Sequence, residues 1–366
     1  MNANLSVCYF GAYRSDYPRN LTIRRALMLA NVSVVECQVP PQRKNWRRWL
    51  SLAYQFLRNP KARAASVIIV AEFCHTLVPL AWVLSRLTGA ALIFDPVISF
   101  YDEMVICQRS IPPDSFRAKY LRWIDSISFA LADLVIWLTA VDEEHFRNLY
   151  HIPPERTTWL PPGVDDALFA PTPLPADDQH FVIHWDGSFI ESHGVDVILD
   201  AANLLQNDST IHFYLLGEGP TSQAMRQRAA ELKLTNVIFT GYVLPSQVAV
   251  SVQRAHLCLG TFRADDKQRR SLYTKELQAM MAGRALITAD GEAKRRVFKP
   301  DDELVLIPPQ DPQALAAEIL KLKADAPRRH HLGEQGHAAV SALCSPRSIQ
   351  QRLMAILYRA RELRRR

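Results

Sequence analysis

Short apolar runs recur along the chain and alternate with segments in which apolar residues repeat at helical spacing. The runs are nearly continuous in apolar residues, which is typical of parallel strands covered on both faces. A first series predicts strands at Leu5–Phe10, Val32–Val39, Val67–Glu72, Ala91–Asp95, Leu134–Thr139 and Thr157–Leu160. A second series predicts strands at Phe181–Trp185, Ile211–Leu216, Asn236–Thr240, Leu257–Gly260, Ala285–Thr288 and Leu304–Ile307. Strand–helix alternation favours right-handed crossovers and mostly parallel sheets.

The two series are separated by Ala170–His180, whose three prolines and polar end are typical of a linker. We therefore predict an α/β protein with two doubly wound, Rossmann-like domains that face each other across a cleft. The first domain spans 1–170 and the second spans 171–345, with a C-terminal helix at 346–366 that packs back on the first. Ligands of such domains bind at the carboxyl ends of the strands. The first strand is not followed by GxGxxG, which weakens a dinucleotide-dehydrogenase interpretation.

The composition of the chain limits the kinds of ligand, partner and compartment that are expected. The formal net charge of +6 favours anionic ligands or surfaces, and no signature of a nucleic-acid-binding module is visible, so nucleic acid is not expected as a partner. The six cysteines are scattered without a CxxC pair, so we expect no metal site and a reducing compartment. Neither a signal peptide nor an apolar run long enough to span a bilayer is apparent, which predicts a cytoplasmic protein.

The most informative segment is Lys267–Asp290, which predicts a polar loop, a short helix and a buried strand. Thr274 can cap the helix and Gly283 can end it. Lys275 and Gln278 share one face near the helix N-terminus. A helix N-terminus favours a phosphate, the lysine adds a full charge, and the glutamine can hydrogen-bond a sugar hydroxyl. This pattern predicts a nucleotide-sugar site in which the nucleotide-sugar is a substrate, so no cofactor is expected.

Six sequence blocks, in order, resemble family 4 glycosyltransferases of the GT-B fold over essentially the whole chain. The blocks are FGAYRSDYPRN at Phe10–Asn20, IFDPVISFYDEMV at Ile93–Val105, WLPPGVDDALFAP at Trp159–Pro171, GSFIESHGVDVILDAA at Gly187–Ala202, FYLLGEGP at Phe213–Pro220, and the segment at Lys267–Asp290. The sequence is similar to a sub-group with HGVD and K..Q segments at the donor site.

The resemblance implies a set of donor-binding residues in the second domain. They are Gly187, Ser188, His193, Gly217, Glu218, Gly219, Arg270, Lys275 and Gln278. Two departures from the family pattern stand out. Ser188 and His193 replace an arginine and a lysine that grip the donor diphosphate, and Arg270 and Gln278 align with two glutamates. A plain tight turn is the alternative for Gly217 and Gly219, and a packing residue at the helix start is the alternative for His193. A solvated charged loop is the alternative for the basic residues around Lys275.

Polar residues after strands of the first domain form the candidate acceptor side. Asp95, a candidate catalytic residue together with Lys275, could accept a hydroxyl proton from the acceptor, or could order a loop. Gly11, Ser99, Tyr101 and Asp102 are the further acceptor-side candidates. Glu72 and His75, after the preceding strand, form a second polar pair, of which His75 is expected to be structural.

The segment Arg43–Arg58 combines aromatic and aliphatic residues with arginines at helical spacing. Such an amphipathic basic segment predicts contact with an anionic membrane surface, which would place the protein peripherally on the inner face of the membrane. The alternative is a surface helix that packs its apolar face on its own domain.

The resemblance implies a glycosyltransferase that moves a sugar from a nucleotide-sugar to a carbohydrate or lipid-linked acceptor, with retention and without a required metal. By analogy, the setting is polysaccharide or glycolipid biosynthesis. Two alternatives stay open: a GT-B-fold sugar-nucleotide epimerase, and a non-catalytic nucleotide-sugar-binding protein that keeps the fold without the glutamates.

Overall fold

The structure, a computed structural model, describes residues 5–42, 45–175 and 180–365. These residues form two compact units: the chain up to Gly163 with the C-terminal helix, and Val164–Ser345. The sequence placed the boundary after residue 170, but the structure places it earlier. The N–H of Val164 donates to the carbonyl of Cys344 (N···O 3.0 Å), which ties this stretch to the second unit. Residues 176–179 of the predicted linker lie outside the described residues.

The first unit contains a parallel six-stranded sheet in the order β2-β1-β3-β4-β5-β6. Its strands are β1 (Ser6–Gly11), β2 (Ser33–Gln38), β3 (Val67–Val70), β4 (Ala91–Phe94), β5 (Leu134–Trp137) and β6 (Thr157–Trp159). Every strand of the first predicted series is found, and only the ends differ. The central strands are fully buried because helices cover both faces, as their continuous apolar sequences predicted.

Seven α-helices surround this sheet among the described residues. They are α1 (Pro18–Leu29), α2 (Asn45–Arg58), α3 (Pro60–Arg63), α4 (Val78–Thr88), α5 (Phe116–Leu131), α6 (Ala140–Tyr150) and α15 (Pro346–Arg365). The last of these is the C-terminal helix, which packs along α1. Its apolar stripe of Ile349, Leu353 and Leu357 is buried in the core of the first unit.

The second unit repeats the architecture with a parallel sheet in the order β12-β11-β10-β7-β8-β9. Its strands are β7 (Phe181–Asp186), β8 (Ile211–Leu216), β9 (Val237–Gly241), β10 (Leu257–Leu259), β11 (Leu286–Ala289) and β12 (Val305–Ile307). Its helices are α7 (Val195–Leu204), α8 (Ser222–Glu231), α9 (Pro245–Gln253), α10 (Asp266–Arg270), α11 (Thr274–Met281), α12 (Glu292–Val297), α13 (Pro312–Ala324) and α14 (Ala326–Cys344). The prediction of two doubly wound α/β units is confirmed.

Each sheet has one point at which the strand order reverses. This switch point lies between β1 and β3 in the first unit and between β7 and β10 in the second. Loops on either side of a switch point leave in opposite directions and open a crevice at the carboxyl ends of the strands, where open α/β sheets bind ligands. Each unit therefore has one preferred place for a ligand.

Candidate functional site

Lys275 lies in the first turn of α11, and its side chain reaches the switch point of the second sheet. The Nζ atom is 4.2 Å from the centroid of the Trp185 ring, close enough for a cation–π interaction. A Cβ atom on Gly187, just after β7, would lie 2.3 Å from the same Nζ. Gly187 also has a φ of +146°, a backbone conformation that residues with a Cβ atom rarely adopt. Glycine is thus required here, and it brings backbone against the ammonium group.

The charge of Lys275 is set by its surroundings. Burial lowers its pKa to about 8, although the carboxylates of Asp186 and Glu276 favour the charged form. Asp186 ends β7, and one of its oxygens is 2.9 Å from Nε2 of His184. Burial alone would raise the pKa of Asp186, but the hydrogen bond and charge of His184, followed by the charge of Lys275, hold it below its usual value. The site therefore contains a buried lysine that is charged at neutral pH, near a fixed carboxylate.

His193 ends a short helical turn before Gly194, at the start of α7. Its Nδ1 atom is 2.6 Å from the carbonyl oxygen of Ser188 and 3.3 Å from Nζ of Lys275. A carbonyl only accepts, so the shorter contact assigns the proton to Nδ1 and leaves the lone pair on Nε2. Burial and then the charge of Lys275 lower the pKa of His193 to about 3. The histidine is thus neutral, and its single N–H is already used inside the protein.

The glycines after β8 allow the ends of two strands to pack closely. Gly217 has a φ of +124°, and a Cβ atom there would lie 2.0 Å from the carbonyl oxygen of Gly187. A Cβ atom on Gly219 would lie 2.5 Å from the carbonyl oxygen of Phe189. Glu218 between them is exposed and is paired with Arg226 at 2.8 Å. Packing explains both glycines, and their predicted contact with a nucleotide stays a prediction.

Glu276 is a structural residue of the site that the sequence interpretation missed. One carboxylate oxygen accepts hydrogen bonds from the hydroxyls of Thr288 (2.6 Å) and Thr261 (3.2 Å), and Nζ of Lys294 is 3.5 Å away. The other oxygen accepts from the N–H of Tyr273, the residue before the helix (3.4 Å). Glu276 therefore ties the start of α11 to the ends of β10 and β11. The sequence signal was a glutamate three residues after the helix cap.

Arg270 and Gln278 occupy different environments. Arg270 is 1% exposed, and its Nε is 2.8 Å from a carboxylate oxygen of Asp266 in the same short helix. Gln278 follows Lys275 by one helical turn and is half-buried. Their donor-binding roles stay predictions.

The prediction that Thr274 caps this helix was wrong by one residue. Helix α11 begins at Thr274, and Tyr273 occupies the cap position.

In the first unit, Asp95 is completely buried after β4. Its two oxygens are 2.8 and 3.0 Å from Nε and Nη2 of Arg19. The same arginine donates to the carbonyls of Leu160 and Pro161, both at 3.0 Å. Both oxygens of this carboxylate are thus occupied by charge-assisted hydrogen bonds inside the fold. This geometry argues against the predicted catalytic role of Asp95 and favours the alternative of ordering the loops.

The remaining acceptor-side candidates differ in whether their side chains are already hydrogen-bonded inside the fold. Gly11 ends β1 at the switch point of the first sheet. The hydroxyl of Ser99 is buried and donates to Asp125 (2.7 Å), which also accepts from the N–H of Tyr101 (2.9 Å). Asp102 is buried at the start of a π-helical turn. Because the Ser99 hydroxyl is used inside the fold, its predicted contact with an acceptor is not favoured, whereas Tyr101 is half-buried.

Comparison with known proteins identifies the family. Residues 6–163 match the glycosyl transferase 4-like domain, and residues 180–325 match the glycosyl transferases of group 1. The chain belongs to the group 1, family 4 type of glycosyltransferases. No curated protein matches it in sequence.

Solved structures with the same fold are distant in sequence. HepE from Anabaena, solved in complex with UDP, is 14% identical, with a TM-score of 0.74 over 97% of this chain and 100% of that chain. Sucrose-phosphate synthase from Thermosynechococcus elongatus is 18% identical, with a TM-score of 0.73 over 97% and 98%. A glycosyltransferase from Rickettsia africae is 12% identical, with a TM-score of 0.71 over 98% and 99%. At these identities the likeness shows the GT-B fold alone.

Helix α2 of this glycosyltransferase includes most of the predicted basic segment Arg43–Arg58 and carries an exposed apolar stripe. Arg43 and Lys44 lie outside the described residues. Leu52 and Phe56 are buried in the unit, as the packing alternative predicted. A second stripe at helical spacing faces away from them and is at least half exposed; it comprises Trp46, Leu50, Tyr54 and Leu57. Among the described residues, no helix is both long enough and apolar enough to cross a bilayer.

Proposed function

We propose that this glycosyltransferase moves a sugar from a nucleoside-diphosphate sugar, with uridine as the nucleoside, to a carbohydrate or lipid-linked acceptor. The observation that carries the proposal is the position of Lys275. A buried ammonium group at a helix N-terminus, beside the glycine turn at the switch point, is suited to a diphosphate. The complexes of HepE with UDP and with UDP-glucose support the choice of donor.

In the proposed reaction, Lys275 and the first turn of α11 stabilise the charge that develops on the departing diphosphate. This is the work that a divalent metal performs in other transferases, so we propose that no metal is required. His193 is neutral, and its Nε2 can accept a hydrogen bond from a hydroxyl of the donor. The side-chain amide of Gln278 can donate a hydrogen bond to a second hydroxyl of the donor, or accept one from it.

We further propose that the configuration at the anomeric carbon is retained. A diphosphate oxygen would take the proton of the attacking hydroxyl on the same face of the sugar, so a strong protein base is not needed. The pairing of Asp95 with Arg19 supports this route, since it removes the carboxylate that the sequence offered as a base.

The exposed stripe of α2 supports peripheral contact with an anionic membrane. Its aromatic and aliphatic side chains would enter the headgroup region, and the neighbouring arginines would meet lipid phosphates. Arg47 and Arg58 lie over the rings of Trp46 and Tyr54, at 5.1 and 5.3 Å, so charge and apolar surface occur together. Such contact would bring the enzyme to a lipid-linked acceptor.

The proposal is tested by incubating the protein with UDP-glucose, UDP-galactose and UDP-N-acetylglucosamine, with and without an array of glycosides, in the presence of EDTA. We expect UDP release that depends on a glycoside and a product whose anomeric configuration, read by NMR, matches the donor. An epimerised sugar formed without a glycoside would favour the epimerase. Binding of UDP without any turnover would favour the non-catalytic alternative.

A further inference from the structure

A carboxylate lies at the switch point of the first sheet. Glu72 follows β3 by two residues, and β3 pairs in parallel with β1, which ends at Gly11. The two strand ends are in close contact, since a Cβ atom on Gly11 would lie 3.4 Å from Cβ of Ala71. The crevice at this point of an open α/β sheet is where a ligand of the first unit is expected.

The hydrogen bonds around Glu72 leave one of its oxygens free. Tyr9 donates its hydroxyl proton to Oδ1 of Asn20 (2.7 Å), and Nδ2 of Asn20 donates to Oε1 of Glu72 and to the carbonyl of Arg14 (both 2.7 Å). Glu72 is 3% exposed, yet its Oε2 has no hydrogen-bond partner among the described residues. Because the amide of Asn20 is fixed from both sides, it holds Oε1 and leaves Oε2 as a buried acceptor without a donor. A buried carboxylate oxygen without a partner is costly, and a hydroxyl group of a ligand would supply one.

The backbone around Glu72 is strained. Phe73 and Val97, which follow β3 and β4, have φ angles of +56° and +67°. Positive φ is rare outside glycine and is a true outlier for a β-branched residue such as valine. The N–H of Phe73 donates to the carbonyl of Pro96 (3.4 Å), which links the two strained positions. Strain of this kind concentrates at ligand sites.

The strained position turns an aromatic ring toward the surface. Phe73 is 41% exposed, and its ring meets that of Tyr17 at 5.6 Å in an edge-to-face contact. Tyr17, the ring partner of Phe73, also lies within the electrostatic reach of Glu72. An apolar ring and a hydrogen-bond acceptor thus occur at the same strand end, and they match the two kinds of surface on a sugar, its C–H face and its hydroxyl groups.

We propose that Glu72 accepts a hydrogen bond from a hydroxyl of the acceptor sugar, while Phe73 packs against the sugar ring. The proposal rests on the glycosyl transfer proposed above and names the chemistry of its acceptor: a sugar residue with a free hydroxyl group.

The charge state of Glu72 gives the proposal a second measurable consequence, a dependence of sugar binding on pH. Burial raises its pKa to about 7, against the hydrogen bond from Asn20. A backbone hydrogen bond of Glu72 itself also lowers the pKa, the charge of Asp95 raises it, and the charge of Arg19 lowers it. Tyr9, Tyr17 and Cys74 also lie within its electrostatic reach, and burial keeps all three neutral. Binding of a sugar hydroxyl should therefore strengthen as pH rises through about 7, as the carboxylate form becomes populated.

The variant Glu72→Gln separates binding from structure. Its carbonyl can still accept from Asn20, so the buried network is kept, but the free position becomes an N–H donor instead of an acceptor. Glu155→Gln is the matched control, since Glu155 is exposed in the same unit. Phe73→Ala tests the ring, and Phe116→Ala, at a residue that is 86% exposed, is its control.

The experiment measures binding of p-nitrophenyl glycosides by saturation-transfer NMR with UDP present, and UDP release from UDP-glucose with the same glycosides. Glu72→Gln should weaken glycoside binding by about tenfold or more and abolish its rise near pH 7, with UDP affinity and melting temperature preserved. Phe73→Ala should weaken glycoside binding several-fold, and both controls should match the parent. Glycoside binding by Glu72→Gln equal to that of the parent, or no glycoside binding by the parent, would overturn the inference. Glycoside binding that depends on Glu72 without UDP release would instead overturn glycosyl transfer and leave the Glu72 site standing.

Discussion

The ammonium group of Lys275 lies 4.2 Å from the centre of the Trp185 ring and next to the backbone of Gly187. The lysine is thus held over an aromatic face inside the protein, rather than extended into solvent. A charge in this position is poorly hydrated, so it gains more from an incoming phosphate than a surface lysine would.

Nucleotide affinity should weaken as pH rises through about 8, because the pKa of Lys275 lies near 8 and the neutral amine attracts a diphosphate less strongly. Calorimetric titration with UDP at a series of pH values on both sides of this point measures the effect. The variant Lys275→Met should lack this pH dependence. An equal dependence in both proteins would assign the titration to another group.

The same pKa shift predicts a stability effect. The pKa of Lys275 is depressed in the folded protein from 10.5 to about 8. The stability that this group contributes is present above pH 10.5 and is lost as pH falls through about 8. Lys275→Met should therefore melt at a temperature equal to or above that of the parent at neutral pH. A strong loss of stability there would show that the charge of Lys275 is structural.

Gly187 and Lys275 should be coupled. In Gly187→Ala the new Cβ atom would lie 2.3 Å from Nζ, so the lysine must move and nucleotide affinity should fall about tenfold or more. Removing the side chain in Lys275→Ala removes this clash. The backbone strain of alanine at a φ of +146° remains in both Gly187 variants and should lower their melting temperatures. The double variant should nevertheless bind UDP about as weakly as Lys275→Ala alone, and a double-mutant cycle on the binding constants measures the coupling. Additive losses would mean that the two residues act separately.

The helices and strands could be predicted from the sequence, but the contacts between side chains of distant segments could not. Continuous apolar runs located every strand, and a capping pattern with Gly283 located α11, because these signals are local. The pairing of Asp95 with Arg19 could not be predicted from the sequence, because the two residues are 76 positions apart in the chain and only the packing of α1 on the sheet brings them together. Trp185 was missed for a similar reason: its apolar ring suited a strand, and its role depends on a lysine from another element.

Membrane contact through α2 should depend on both charge and apolar surface. We expect the protein to cosediment with vesicles that contain phosphatidylglycerol, and less so at high salt, since salt screens exposed charges. Leu50→Ser should reduce binding, because Leu50 is 64% exposed on the apolar stripe. Leu29→Ser, at a leucine that is 51% exposed on α1, is the control. Equal binding to neutral vesicles would contradict the proposal, as would an unchanged affinity in Leu50→Ser.

The proposed function depends most on Lys275 as the group that binds the donor diphosphate. The most direct measurement is calorimetric titration of UDP-glucose into the parent, Lys275→Met and Lys233→Met, in which Lys233 is an exposed lysine of the same unit. Methionine keeps the apolar stem of Lys275 against Trp185 and removes only the charge. A charge-assisted contact of about 1.5–3 kcal/mol predicts an affinity lower by about tenfold to more than a hundredfold in Lys275→Met, and no change in Lys233→Met. If Lys275→Met remains folded and binds UDP-glucose as tightly as the parent, the donor site does not lie at Lys275.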